Sequence, residues 1–350
     1  MEPSNFCANL PEQVRVSLGS AIILGLAEGM LDAAPTTAYL MTHRHGKCAA
    51  NCAFCPQART SRTRADMLSR VSWPAYRTRD VLKGIAGAIN NDKIKRVCIQ
   101  ALNYPQAFDD LHSLVHAISH TANVPISVSC QPLNRESICR LTNAGVDRIS
   151  IPLDAATKEA FDRTKGTSAG GPYSWENQWQ LLDQARQVLG KGRVSTHLIV
   201  GLGETEQEMA STIQKCVDMG ILPALFAFTP VPGTAMGNQA QPRIEQYRRI
   251  QVARHLILQG IARCTEMTFD ENGTIVDFGI SKEELLQIIR TSEPFVTSGC
   301  PNCNRPFYNE KPSGPIYNFP RELTPTELST TKKQLGSNEN EMARKPQGVH

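Results

Sequence analysis

The chain has 350 residues, of which 41% are hydrophobic and 20% charged, and its formal net charge is +4. That is the composition of a globular chain with enough apolar content for a large core, and so small a charge excess gives no footing to a nucleic-acid or polyanion partner. The longest apolar stretch, residues 21–30, is broken by Glu28 and lacks both the length of a membrane span and the basic flank of a signal peptide. The expectation is a cytoplasmic protein without a membrane partner.

Residues 11–34 carry apolar positions at helical spacing and read as a helix that breaks at Pro35. Seven short apolar runs then follow, at 37–41, 96–100, 125–130, 148–153, 194–201, 222–229 and, less clearly, 261–269. Stretches of helical length and period separate them, among them 137–144, 175–189, 205–219 and 246–259. Strands alternating with helices imply parallel pairing through right-handed crossovers, and seven such units predict an α/β fold, a (β/α) barrel of the TIM type, complete or nearly so. The barrel is assigned to 36–290, after an N-terminal helical arm at 1–35. A loop-rich extension rich in Gly, Pro, Cys, Asn and Tyr occupies 291–335, and 336–350 is expected to be disordered. Thr324-Pro325-Thr326-Glu327 has the pattern of a short helix start.

Cysteine spacing carries the chemistry. Eleven cysteines cannot all pair, and in a reducing compartment they read as ligands, catalytic groups or core residues. Cys48, Cys52 and Cys55 form a C-x3-C-x2-C loop just past the first predicted strand. Three thiolates on one loop can cap three irons of a cubane and leave the fourth iron open to a substrate. The competing reading is zinc, with His43 or His45 as fourth ligand, although no second knuckle follows nearby.

The loop, in particular Cys52-Ala-Phe-Cys55-Pro-Gln, resembles the radical S-adenosylmethionine (SAM) superfamily and, more narrowly, its biotin synthase-like branch. Ile199-Val-Gly-Leu-Gly-Glu-Thr205 and Ile151-Pro-Leu-Asp154 extend the resemblance over about residues 36–270. It implies a [4Fe–4S] cluster on Cys48, Cys52 and Cys55 that binds SAM. It further implies adenine packing by Phe54, ribose contact by Asp154, and backbone contacts to adenine from Ile199 and Val200. Gly201 and Gly203 also suit a tight strand-to-helix turn, and no Lys-Ser/Thr follows to make a P-loop. Biotin synthase carries a second, [2Fe–2S] cluster on cysteines from three strands and an arginine. Here Cys98 alone stands at such a position; the third-strand position falls at or near Ser127, with Cys130 three residues off, the fifth-strand position is Ser195, and Cys98 reads as a core residue.

Downstream lies Ser298-Gly-Cys300-Pro-Asn-Cys303-Asn-Arg305-Pro-Phe-Tyr-Asn309, followed by Ile316-Tyr-Asn-Phe-Pro-Arg321. A C-x2-C knuckle among Gly and Pro is a common metal-binding turn. Cys7 is the natural third ligand, with Ser298, Arg305 or the substrate as a fourth; a zinc turn, a redox dithiol or an ordinary buried Cys7 are the alternatives. The segment resembles the two-protein lipoyl synthases. This resemblance implies an auxiliary [4Fe–4S] cluster that gives sulfur to an octanoyl chain at C8 or C6, after hydrogen abstraction by a 5′-deoxyadenosyl radical. The implied partners are an octanoylated carrier (glycine cleavage H protein or E2 lipoyl domain), a second radical SAM subunit and a low-potential donor such as ferredoxin. Another biotin synthase-like activity (biotin synthase, methylase or mutase) and a zinc-binding scaffold stay as alternatives. His112, His116 and His120 recur on one helix face and read as a solvated stripe.

Overall fold

A computed structural model of the chain describes residues 10–335. Cys7 and the tail at 336–350 lie outside the described residues. The elements begin with β1 (Gln13–Val16), α1 (Leu18–Ile23), β2 (Thr37–Thr42), β3 (Met67–Leu68), β4 (Val71–Ser72), β5 (Ala75–Arg77) and α2 (Thr78–Asn90). Then come β6 (Arg96–Gln100), α3 (Ala107–Thr121), β7 (Ile126–Ser129), α4 (Arg135–Asn143), β8 (Val146–Ser150), α5 (Lys158–Thr164), α6 (Trp175–Leu189) and β9 (Val194–Val200). The chain continues through α7 (Glu206–Asp218), β10 (Leu222–Ala227), α8 (Ile244–Gln259), β11 (Thr268–Phe269), β12 (Ile275–Asp277), α9 (Lys282–Arg290) and α10 (Pro325–Gln334).

The central sheet has the order β10-β9-β8-β7-β6-β2-β1-β5. The strands from β2 to β10 in that row are parallel, while β1 and β5 add an antiparallel edge beyond β2. The result is an open (β/α) barrel of the TIM type. Side chains alternate across it, as the two-residue period of a strand requires. Leu40, Val97, Ile99, Ile149, Leu198 and Leu225 face the helices and are fully buried there. Many of the inward positions are small or polar: Cys98, Ser127, Ser129, Ser150, Ser195 and Ala224 all line a cavity, together with the larger Tyr39, Met41 and Phe226. A barrel of this type is ordinarily filled by layers of bulky branched side chains; small residues here leave it hollow.

Two stretches differ from the sequence expectation. Residues 11–34 do not form one helix. Val14 and Val16 alternate as strand residues and pair with Thr42 and Leu40 of β2, and the short α1 that follows stops at Gly25, whose φ is +72°. The weak seventh run, 261–269, is not a barrel strand: Thr268 and Phe269 pair antiparallel with Asp277 and Ile275 in a separate hairpin. The other six runs are the parallel strands. Thr324 caps α10 through a capping box with Glu327.

The extension after α9 packs back onto the barrel. Ser298 Oγ accepts from Leu225 N at 2.7 Å, and Arg305 donates to Leu225 O at 3.3 Å, so both satisfy peptide groups on the outer edge of β10. Asn304 reaches the entry to β2, accepting from Thr36 N at 3.0 Å and donating to Ala34 O at 2.8 Å. Further along, Arg248 of α8 is 1% exposed and donates to Tyr317 O at 2.8 Å and Gln251 Oε1 at 2.7 Å. Replacing Arg248 with Met should leave Gln251 Oε1 without that donor and Tyr317 O with Gln251 Nε2 alone, and cost roughly 3 kcal/mol, read as a lowered urea midpoint; an unchanged midpoint would show that the clamp does not hold the extension.

Candidate active site

One cavity of about 490 Å³ runs through the barrel. Its lining includes Cys48, Cys52 and Cys55 from the loop after β2, and Cys300 and Cys303 from the extension. The first group stands where the parallel strands end, beside Asp154 after β8 and Ile199 near the end of β9. The second stands deeper, against the middle of β2, β6 and β7.

The cysteine loop is fixed by its surroundings on several sides. Cys48 N donates to Gln57 O at 2.9 Å, and Cys55 N donates to Cys52 O at 3.0 Å, which winds the loop into turns. The Lys47 ammonium draws the loop's end together through Pro56 O and Thr63 O, both at 2.7 Å. The Gln57 amide donates to Ala65 O at 2.8 Å, and Ala53 N donates to Thr164 O at 2.7 Å. Asn103 N donates to Cys48 Sγ at 3.1 Å, the kind of bond that stabilises charge on a sulfur. Burial pushes the Cys55 thiol up to about 12 and raises Cys52 further. Without a metal these thiols stay protonated; binding iron displaces the proton. Three half-buried thiols on a held loop, one already accepting a backbone N–H, fit a cluster with one open iron. His43 and His45 stack edge to face on one another and are not in the cavity lining. Among the described residues no three His, Cys, Asp or Glu side chains converge on a single ion; in a cubane each thiolate instead takes its own iron.

Asp154 occupies a backbone conformation that side chains seldom adopt, with φ at +69°. Two bonds to β9 hold it there, from Asp154 N to His197 O at 2.8 Å and from Ile199 N to Asp154 O at 2.7 Å. Its carboxylate meets the Lys165 ammonium at 2.7 Å, and Lys165 is only 2% exposed. Lys165 was not legible as a site residue, because it lies on the last turn of a helix and no spacing rule links it to Asp154. Phe54 and Ile199 also line the cavity, whereas the Val200 side chain is wholly buried among the helices, leaving its main chain alone near the strand end. The Gly201-Leu-Gly-Glu204 turn is a clamp: the Glu204 carboxylate accepts from Gly201 N at 2.7 Å and Leu202 N at 2.9 Å. Gly201 has φ at +103° with Pro242 pressed against it, so the turn reading of that glycine holds.

Of the proposed fourth ligands, Ser298 is spent on β10 and is absent from the lining, while Arg305 lines the cavity and stacks over the Phe226 ring at 3.8 Å. Cys98, expected in the core, turns its sulfur to the cavity. His116 and His120 stack at 4.0 Å on α3, away from the cavity.

His197 faces the cavity between the two cysteine groups. Burial is the main cause that pulls its imidazole down to about 4; Asp154 opposes this, and Arg305 and Lys165 add to it. The unfolded chain therefore takes up a proton that the folded one refuses. Stability should be full above pH ~6.5 and fall as pH drops toward 4. His197→Phe should flatten that decline in thermal melts across this window; a variant with the same slope as the parent would remove His197 as its source.

Comparison with known proteins bears on this geometry. The family model for the radical SAM superfamily matches residues 44–216. A biotin synthase from a Sulfurihydrogenibium species is 25% identical over 57% of this chain and 57% of its own length. The Aquifex aeolicus biotin synthase is 24% identical over 61% of each. The chain thus spans less than two thirds of either relative. In fold, the structure of HydG, a maturase of the [FeFe]-hydrogenase, superposes with a TM-score of 0.51 at 12% identity, over 63% of this chain and 50% of that one. Among the described residues no helix is long and apolar enough to cross a membrane. The superfamily implies a [4Fe–4S] cluster and SAM, and the match begins at Arg44, just ahead of the cysteine loop: residues 44–216 form a radical SAM domain, and the chain is similar to proteins of the biotin synthase kind.

Proposed function

We propose that the chain inserts sulfur into an unactivated carbon chain, as a lipoyl synthase component acting at C8 or C6 of an octanoyl or mercaptooctanoyl group. The group would be carried on a glycine cleavage H protein or an E2 lipoyl domain, with a second radical SAM subunit and a ferredoxin-like donor as further partners. The supporting observation is that both cysteine groups line one cavity, one side of which is an apolar wall formed by Tyr39, Met41, Trp73 and Leu102. An alkyl chain has no group for acid–base or nucleophilic chemistry to grip, so a dry channel between two metal-binding sites suits it.

In this reading Cys48, Cys52 and Cys55 hold the first [4Fe–4S] cluster, and Cys300 and Cys303 hold an auxiliary one. When bound, the first cluster with SAM supplies a 5′-deoxyadenosyl radical and the second supplies sulfide. The protein's own part is placement. Phe54 packs the adenine, the Ile199 and Val200 backbone lines its edge, and Asp154 takes the ribose while Lys165 fixes its carboxylate. Biotin synthesis is the less favoured reading because Ser127 and Ser195 stand where two strand cysteines would be needed. Another biotin synthase-like activity, with zinc or nothing on Cys300 and Cys303, is the alternative.

Lys165→Met should free the Asp154 carboxylate and raise the Kd for SAM at least about tenfold, or about 1.4 kcal/mol, by calorimetry on the reconstituted protein; an unchanged Kd removes the pair from SAM binding. The function is tested by incubating the reduced chain with SAM and octanoyl- or mercaptooctanoyl-lysyl peptides, looking for a thiolated peptide by mass spectrometry. The expected product should vanish in Cys300→Ala while SAM cleavage persists. If neither peptide is thiolated and a different substrate is, the lipoyl assignment is wrong.

A further inference from the structure

Three adjacent strands present Tyr39, Cys98 and Ser127 side by side. Cys98 of β6 is the register partner of Tyr39 in β2 on one side and of Ser127 in β7 on the other. Both neighbours touch the extension. The Tyr39 hydroxyl lies 3.3 Å from Cys303 Sγ and accepts from Arg305 N at 2.9 Å, and the Ser127 hydroxyl donates to Cys300 Sγ at 3.4 Å. The two knuckle sulfurs are therefore pinned to the strands that flank Cys98, and all three sulfurs face the same cavity.

We propose that Cys98 completes a three-thiolate site with Cys300 and Cys303, and that this site takes an iron–sulfur cluster seated inside the barrel with one iron open to the cavity. The proposal rests on the reading of Cys300 and Cys303 as cluster ligands and replaces Cys7 as their third partner. Among the described residues neither these sulfurs nor those of Cys48, Cys52 and Cys55 converge on a single ion; in a cubane each thiolate would take its own iron. The surroundings match the charge: three thiolates on a 2+ cubane leave a net anion, and cationic groups gather nearby. Arg96 donates to the Ser127 hydroxyl at 2.9 Å, Arg148 is the register partner of Ser127 and lines the cavity, and Arg305 lies beside Cys303 in the chain. Tyr39, Met41 and Trp73 pack on Cys98 and Cys303 and keep water from the sulfurs. Phe226 and Tyr308, whose rings lie edge to face at 5.8 Å, line the same cavity.

The test uses the full chain, reconstituted without oxygen, with Cys48, Cys52 and Cys55 all changed to Ala so that one site remains. That background should hold about four irons per chain. Cys98→Ala within it should lose at least three quarters of them, as should Cys300→Ala, while Cys7→Ala keeps them. Retention in Cys98→Ala with loss in Cys300→Ala overturns the role of Cys98 and leaves the knuckle reading standing; retention in both overturns the knuckle reading and this proposal with it. Loss in Cys7→Ala with retention in Cys98→Ala returns the third position to Cys7. Should Cys98→Ala not fold, Cys98→Ser keeps the volume. A reduced cluster with shifted EPR g values, or no cluster, supports the proposal, and a spectrum identical to the parent overturns it.

Discussion

The parallel sheet stops before it closes, and most of what is distinctive in this protein answers that one constraint. A strand at a sheet edge exposes a row of peptide N–H and C=O groups, which must find partners when covered. On β10 the partners come from the extension, through Ser298 and Arg305 on the two sides of the Leu225 peptide. The same segment crosses to the start of β2 through Asn304. A single run of residues thereby spans the gap in the barrel, and Cys300 and Cys303 ride on it. The knuckle is part of the wall.

The second constraint is volume. A filled barrel owes its stability to bulky inward side chains. Serines and alanines on the inner face of β7, β8, β9 and β10 give that packing up, and the outer face against the helices carries the core instead, in a cluster that runs from Val14 to Leu335. The hollow this leaves is long enough to hold chemistry at both ends. Its upper end is the cysteine loop with Asp154 and Lys165; its middle is lined by Tyr39, Cys98 and Ser127. A charged pair such as Asp154 and Lys165 is tolerated in such a place because the Lys165 ammonium also donates to Pro152 O and the Asp154 main chain is held by β9.

Much of this was legible in the sequence. The six parallel strands appear as apolar runs because both of their faces are covered, and the cysteine loop is a local pattern readable at one glance. Long, strongly periodic helices such as 175–189 fall at the expected positions. What failed has physical reasons. Val14 and Val16 take strand form because an unpaired edge of β2 waits for them, which residues 11–34 alone do not reveal. Thr268 and Phe269 have strand composition but find their partner in a hairpin. Cys98 was misplaced because inward and outward faces of a strand cannot be told apart when both are buried, and Lys165 because its partner is set by the tertiary fold. The proximity of Cys300 to Ser127 spans 173 positions in the chain, beyond the reach of any spacing rule.

The attachment of the knuckle to Leu225 also sets an order of assembly. The cysteines, Asp154 and Lys165 of the upper site lie before β10 in the chain, although their loop is braced from beyond it, by Met236 N on Ala53 O and by Arg62 N on Gly233 O. The lower site exists only once residues 298–305 have docked on a finished β10. Any metal bound at Cys300 and Cys303 would therefore act as a latch that ties the extension to the finished sheet.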